Sequence, residues 1–307
     1  MEKRVIVIVG PTCSGKTKLS IELAKDLQTE IVSADSRQIY KHLSIGTAKP
    51  TPKELKESKH HFIDTLEPEV NYNVGLYEKE AHEIILSLTR QNKIPIVVGG
   101  SGLYVKSIID GIVDIDSDDD LRKELKAAKE KFGNEYIYNK LEKLDPKAAE
   151  TMLPQNWKRV IRAIEVFQLT GKSILDLHEA QTPNYDYEFL QFGLNWQREV
   201  LYQNIDKRVD KMIKNGLVNE VKSILEKGYS KNINALNTVG YKEIISYLEN
   251  EITLERAIEL IKRNTRRFAK RQLTWFRKDE RIKWIEIENE EDNKRQTENS
   301  ITSVNNF

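Results

Sequence analysis

Arg4-Val5-Ile6-Val7-Ile8-Val9-Gly10-Pro11-Thr12-Cys13-Ser14-Gly15-Lys16-Thr17 is the stretch that decides the fold. Positions 5–9 are β-branched without polar alternation, which predicts a strand buried on both faces, as in a parallel sheet. Residues 10–17 satisfy every fixed position of the pattern G-x-x-x-x-G-K-[ST]. Leu19, Leu23 and Leu27 then recur at helical spacing, with Ile21 and Ala24 beside them, and predict a helix over 17–27. Strand, glycine-rich turn and helix together form the context in which this motif binds phosphate. The glycines let the backbone curl so that its N–H groups face an anion, and the helix N-terminus adds partial positive charge. Gly10, Pro11, Thr12, Cys13, Ser14, Gly15, Lys16 and Thr17 are therefore the candidate diphosphate- or nucleotide-binding residues. Lys16 is expected to reach the terminal phosphates, and the Thr17 hydroxyl is the candidate metal contact for a Mg²⁺ shared with a diphosphate.

Working outward, residues 30–32 predict a second strand, 76–92 a helix, 94–98 a third strand and 101–110 a helix, while 41–75 read as irregular. This alternation is the grammar of a doubly wound α/β domain. Past Gly111 the composition changes. Asp114, Asp116, Asp118, Asp119 and Asp120 read as an acidic linker, and residues 121–181 follow helical patterns. Residues 189–194 can return to the sheet, and 198–227 and 239–278 are helical again. The expected fold class is α/β, a P-loop NTPase-like core with a mostly parallel sheet flanked by helices, plus an inserted helical domain. The expected boundaries are 1–114 and 190–285 for the core, 115–189 for the insertion, and 286–307 for a polar, disordered tail.

The chain has 307 residues, 49 Lys plus Arg against 48 Asp plus Glu, and 39% apolar residues. That balance excludes binding of polyanions through overall charge but not through a local patch. One cysteine, Cys13, excludes a disulfide framework within the chain. No apolar run approaches a membrane span, and the opening apolar run is too short for a signal peptide, so the expected compartment is the cytoplasm and no membrane partner is expected. A monomer is expected.

Two readings of the phosphate loop remain open at this point. A kinase or ATPase commonly carries a strand ending in Asp to hold the metal's water shell, but the strand at 94–98 runs into Gly99-Gly100-Ser101. The carboxylate available at a strand end is Asp35, in Ser33-Ala34-Asp35-Ser36-Arg37-Gln38-Ile39-Tyr40. It is placed either to serve as a base or metal ligand, or to cap a helix. Arg37 and Gln38 beside it suit a base edge or a phosphate. From Lys262 to Lys278 the chain carries eight cations and no acid, with Phe268, Trp275 and Phe276 among them. Leu254, Ile258, Ile261 and Phe268 read as its inward stripe, leaving the cations outside for nucleic acid or for solvent. Lys158, Arg159 and Arg162 flank Val160, Ala163, Ile164 and Phe167 in a second amphipathic helix with a basic side. His60-His61 reads as structural, since adjacent histidines without further ligands rarely share a metal.

The blocks GPTCSGKT, SADSRQIYKHLSIGTAKP, HHFIDTLEP, IVVGGSGLY, KRVIRAIEVF, NTVGYKEIISYL and RNTRRFAKRQLTWFR, in that order, resemble the tRNA dimethylallyltransferase (tRNA isopentenyltransferase) family over about residues 4–278. Cys13 stands where that family usually has Ala, Ser101 where it has Thr, and Gln155-Asn156-Trp157 departs from its pattern. The resemblance implies transfer of a dimethylallyl group from dimethylallyl diphosphate to N6 of the adenine immediately 3′ of the anticodon, in tRNAs reading codons that start with U. It implies Asp35 as the group that takes charge from the attacking nitrogen, and Lys16, Thr17 and Arg208 on the departing diphosphate, with Mg²⁺. It further implies tRNA contacts, to the anticodon stem-loop, at Asp35, Ser36, Arg37, Gln38, Ser101, Arg122, Lys158, Arg159, Val160, Ile161 and Arg162. The alternative function is a P-loop small-molecule kinase that binds ATP.

Overall fold

In the computed structural model, which describes residues 3–113, 115, 117–180 and 185–288, the predicted first strand is β1 (Arg4–Val9) and the phosphate-loop helix is α1 (Lys16–Asp26). There follow β2 (Ile31–Ser33), α2 (Pro52–Glu57), β3 (His60–His61), α3 (Val74–Arg90), β4 (Ile96–Gly99) and α4 (Gly102–Asp110). A run of helices comes next: α5 (Asp119–Phe132), α6 (Asn134–Leu144), α7 (Pro146–Glu150), α8 (Trp157–Thr170) and α9 (Ile174–Glu179). The chain then forms β5 (Glu188–Trp196), α10 (Arg198–Lys214), α11 (Leu217–Glu226), α12 (Tyr241–Leu248), α13 (Leu254–Phe276) and β6 (Lys283–Ile287).

The six strands form one sheet in the order β3-β2-β4-β1-β5-β6, and every pairing is parallel. β1 lies inside it, with Ile6 opposite Ile96 on one side and Leu190 on the other. A strand so placed has no solvent face, which is why its sequence does not alternate. Val5, Val7 and Val9 join the apolar layer of Tyr77, Ala81, Ile85 and Ile108 on one face. Ile6 and Ile8 join Leu19, Leu23, Leu201, Ile205 and Ala269 on the other. The even and odd residues of one strand thus face two separate apolar layers.

By compactness the chain divides into two units, Met1–Ile109 with Tyr185–Phe307, and Asp110–Asn184. The second has a core of its own, in which Leu125, Ile137, Leu141, Ala148, Met152, Val160 and Ile164 are buried. Helix α5 opens with Asp118, whose Oδ1 accepts from the backbone N–H of Asp120 and Leu121.

Three boundaries differ from expectation. The segment expected to be irregular over 41–75 contains α2, opened by a capping box between Thr51 and Glu54, and the two-residue β3. Strand β5 starts at Glu188 and ends at Trp196, one residue before and two after the expected return to the sheet at 189–194. Glu286 and Ile287, expected in the polar tail, complete β6, whose partner β5 supplies the ladder while the strand's exposed edge tolerates polar side chains. The rest of the expected tail, 289–307, and Asp114 and Asp116 of the acidic stretch lie outside the described residues. Among the described residues, no helix is long and apolar enough to cross a membrane.

Candidate active site

The loops that follow β1, β2 and β4 meet at the carboxyl edge of the sheet, where open α/β sheets bind ligands. They border a cleft of about 820 Å³ within the first unit. On one side is the phosphate loop. Gly15 precedes α1 with φ at +90°, a conformation that costs glycine nothing. No side chain caps this helix and no acid sits in its first turn, so its opening N–H groups remain available to an anion. The Trp196 indole donates to Ser14 O (3.0 Å) and braces the loop from beneath. Lys16 folds over the loop and donates from Nζ to Pro11 O (2.6 Å) and Gly10 O (3.0 Å). Desolvation of its ammonium, reinforced by the Arg208 guanidinium and opposed by Asp35, pushes its pKa down to about 8. Arg208 projects from α10 to place Nη1 at 3.4 Å from both Thr12 Oγ1 and Cys13 Sγ. It is therefore no ordinary surface arginine; it joins the phosphate side of the cleft.

Across the cleft, Asp35 and its neighbours form a turn after β2. Asp35 Oδ1 accepts from the backbone N–H of Arg37 (2.8 Å) and Gln38 (3.3 Å), so this carboxylate does cap a turn. Its Oδ2 has no hydrogen-bond partner among the described residues and is not buried. One carboxylate is thus both held and open to the cleft, and the two readings left open by the sequence are compatible. Ser101 Oγ accepts from the Ser36 N–H at 3.0 Å and lies 3.3 Å from Ser36 Oγ. Arg37 also borders the cleft, and its Nη1 donates to Asn234 O at 2.6 Å. Gly99 permits the close packing of these loops: a Cβ there would lie 2.1 Å from Ala34 O.

The residue that ties the two sides together escaped the sequence reading. Gln272, nearly buried on α13, accepts from the Thr12 N–H with Oε1 (2.9 Å) and donates from Nε2 to Gly100 O (2.9 Å). It sits inside RRFAKRQLTWFR, where the surrounding cations draw attention away from a neutral amide. The rest of α13 also departs from expectation. Phe268, expected on the inward stripe, is exposed and borders the cleft with Trp275, and Arg271 lies over its ring. Lys262 and Arg266 pair with Asp210 (2.6 Å) and Asp206 (2.5 Å) of α10. Acids from a neighbouring helix thus take up part of a patch that looks uninterrupted in the sequence.

In the second unit, Lys158 and Arg159 are exposed on α8, but Val160 and Ile161 are not surface residues. Both side chains are buried in that unit's core, because helical periodicity turns them inward while their neighbours face out. Arg122 and Arg162 converge on the fully buried Glu165. Arg122 makes a bidentate pair with it (2.8 and 3.0 Å) and Arg162 reaches it at 2.6 Å. The Asp118 N–H adds a further bond at 2.8 Å.

The donor set suits a magnesium ion carried with a diphosphate. Among the described residues no cluster of three His, Cys, Asp or Glu side chains could cage a metal. Thr17 borders the cleft at the first turn of α1, and a hydroxyl beside phosphate oxygens and water is a sufficient protein contribution for Mg²⁺. His60 and His61 bond to Ser58 O (2.8 Å) and Glu30 (2.7 Å) and belong to no such set.

Comparison with known proteins is consistent with this geometry. The family described as IPP transferase matches residues 38–279. A tRNA dimethylallyltransferase of Carboxydothermus hydrogenoformans is 47% identical over the full length of both chains. Another, of Alkaliphilus oremlandii, is 49% identical over 94% of this chain and 93% of its own. The crystal structure of the full-length tRNA isopentenylpyrophosphate transferase from Bacillus halodurans superposes with a TM-score of 0.73 at 38% identity, covering 98% of this chain and 96% of that one. A eukaryotic dimethylallyltransferase captured acting on tRNA gives a TM-score of 0.79 at 29% identity, covering 92% of this chain and 73% of its own. The kinase alternative is not favoured: no carboxylate ends β4, and the relatives are named dimethylallyltransferases. A phosphate loop facing a turn-held carboxylate, on a sheet and sequence shared with these proteins, places the chain in the IPP transferase family, the tRNA dimethylallyltransferases.

Proposed function

We propose that this protein transfers a dimethylallyl group from dimethylallyl diphosphate to N6 of the adenine immediately 3′ of the anticodon, and releases diphosphate. The observation that carries the reading is a single cleft with a phosphate cradle on one side and an open carboxylate oxygen, Asp35 Oδ2, on the other. The N6 lone pair forms the new bond to C1 of the donor. The C1–O bond breaks, and its electron pair leaves with the diphosphate. Adenine N6 is a weak nucleophile because its lone pair is delocalised into the ring, so it gains most from an acceptor for its proton as the bond forms; Asp35 Oδ2 is placed for that.

The leaving group carries the developing negative charge, and stabilising it there is the main electrostatic task. The amides of residues 13–17, the Lys16 ammonium and the Arg208 guanidinium supply fixed positive charge. Magnesium, held by Thr17 and the diphosphate, would neutralise charge on the departing oxygens. Ser36, Gln38 and Ser101 frame the base. The target lies in a single-stranded loop, where bringing one base out of its stack costs less than in a duplex. The helical unit grips the anticodon stem-loop through Lys158 and Arg159, with Arg122 and Arg162 held in place by Glu165. The enzyme acts as a monomer in the cytoplasm.

Incubating the protein with Mg²⁺, an anticodon stem-loop and dimethylallyl diphosphate labelled in its carbon skeleton tests the reading. Label on the RNA, lost when the target adenine is replaced by a pyrimidine, is the expected result. RNA left unlabelled, with ATP instead donating a phosphate to a small acceptor, would overturn it.

A further inference from the structure

The loop after Tyr40 is held by a side chain from a distant helix. Glu220, on α11, accepts from three consecutive backbone amides: Ser44 (3.1 Å) and Ile45 (2.8 Å) on Oε2, and Gly46 (3.1 Å) on Oε1. Its Oε1 also accepts from the Tyr241 hydroxyl at 2.6 Å. Tyr241 is fully buried, and its ring packs so closely on Gly46 that a Cβ there would lie 2.4 Å from it. Four hydrogen bonds to one carboxylate fix the path of the chain through residues 44–46.

The next two carbonyls of that loop have a specific use. Thr47 O and Ala48 O accept from Gln38 Nε2, at 3.1 and 3.2 Å. Both N–H bonds of the Gln38 amide are thereby taken. Its orientation is unambiguous, since the reverse one would set an oxygen against two carbonyl oxygens. Gln38 borders the cleft, and its Oε1 is neither buried nor bonded to any described residue. Beside Asp35 Oδ2, this gives the base-facing side of the cleft a second acceptor.

We propose that Glu220 is a positioning residue for the RNA side of the reaction: through residues 44–48 it locks Gln38 with its oxygen toward the incoming base, so that this side of the cleft accepts an amino-bearing edge and rejects a carbonyl-bearing one. The inference rests on the function proposed above. At C6, adenine and guanine differ in this way, an N6 amino group against an O6 carbonyl.

The test compares binding of two stem-loops, with adenine or guanine at the target position, by wild-type protein and by Glu220→Gln. The amide in this variant keeps the size of the side chain but replaces one accepting oxygen with an NH₂ that cannot accept. The expected result is a fall of about tenfold in the adenine-to-guanine affinity ratio, the worth of about one hydrogen bond. Binding of dimethylallyl diphosphate stays within about twofold, and Glu220→Gln adds no more than about twofold to the ratio change already caused by Gln38→Ala. An unchanged ratio, equal weakening of donor and both stem-loops, or effects that multiply with Gln38→Ala would each overturn the proposal. If Glu220→Gln does not fold, Tyr241→Phe removes one donor and keeps the three amide bonds. A fall of about threefold in the ratio is then expected, and no fall overturns the proposal. Wild-type protein that leaves RNA unlabelled in the transfer assay would instead retire the proposed function itself, before any variant is compared.

Discussion

The two sides of the cleft are built by different means. The phosphate side is built around eight consecutive residues whose own backbone supplies the anion site, with Lys16 folded over its own loop, Trp196 beneath it and Arg208 added from α10. The base side is also short in sequence, Asp35 to Gln38, but its shape is imposed from far away. Ser101 holds Ser36, Asn234 holds Arg37, and Glu220 holds the loop that holds Gln38. A site for a common group, a diphosphate, can be carried by a local motif. A site for a particular base edge needs side chains aimed from several elements, and so can be retuned without touching the phosphate cradle.

If the two sides are separable in this way, Asp35→Asn is the sharpest way to show it. The amide keeps an oxygen to accept from Arg37 and Gln38 but loses the proton acceptor. Turnover should fall by roughly 10²–10⁴, the range for a lost general base, while the affinities for donor and stem-loop change little. A matching loss of affinity for either substrate would show that the carboxylate serves binding instead. Gln272 is where the separation should fail, because one amide touches both sides. Gln272→Leu leaves the Thr12 N–H and the Gly100 carbonyl without their partner, at a cost of about 1–3 kcal/mol, so kcat/KM should fall by roughly 10–100-fold for donor and stem-loop alike. A defect confined to one substrate, in steady-state kinetics with each varied in turn, would mean that Gln272 does not couple them.

The smallest effect is confined to the phosphate side. Lys16 has a folded pKa pushed down to about 8, below its ordinary value, so it is charged below that pH and loses its proton as the pH rises through it. Diphosphate binding favours the ammonium. Donor affinity should therefore be flat below about pH 7 and weaken about tenfold by pH 9, with proton uptake on binding that appears only on the alkaline side. Calorimetry in buffers of different ionisation heat reads that uptake directly. Stem-loop affinity should not follow the same curve, and if it does, the two sides are electrostatically one.

These differences also explain what the sequence made legible. The phosphate loop could be read because its residues are contiguous and each has a local job. β1 could be read because burial on both faces leaves an unbroken apolar run. Strand β3 has two residues, too few to show a period, and β6 mixes Lys283 and Glu286 with Trp284 and Ile285 as an edge strand can. Arg208 needed the family resemblance, since nothing in its own helix marks it as facing Thr12. Gln272 and Glu220 left no signal: a neutral amide in a basic run and an acid on an amphipathic helix gain meaning only when the backbone groups they bind are brought to them. Val160 and Ile161 differ again: they sit within a basic segment, but the helical period turns their side chains into the core.

In the proposed reaction the diphosphate leaves intact, with its bond to carbon broken and its phosphorus untouched. The most direct test uses dimethylallyl diphosphate carrying heavy oxygen at the position that bridges C1 and phosphorus, turned over with the stem-loop and analysed by mass spectrometry. All of the heavy oxygen should appear in the released diphosphate and none in the modified RNA. Heavy oxygen retained on carbon, with a phosphoryl group moved to an acceptor, would contradict the account.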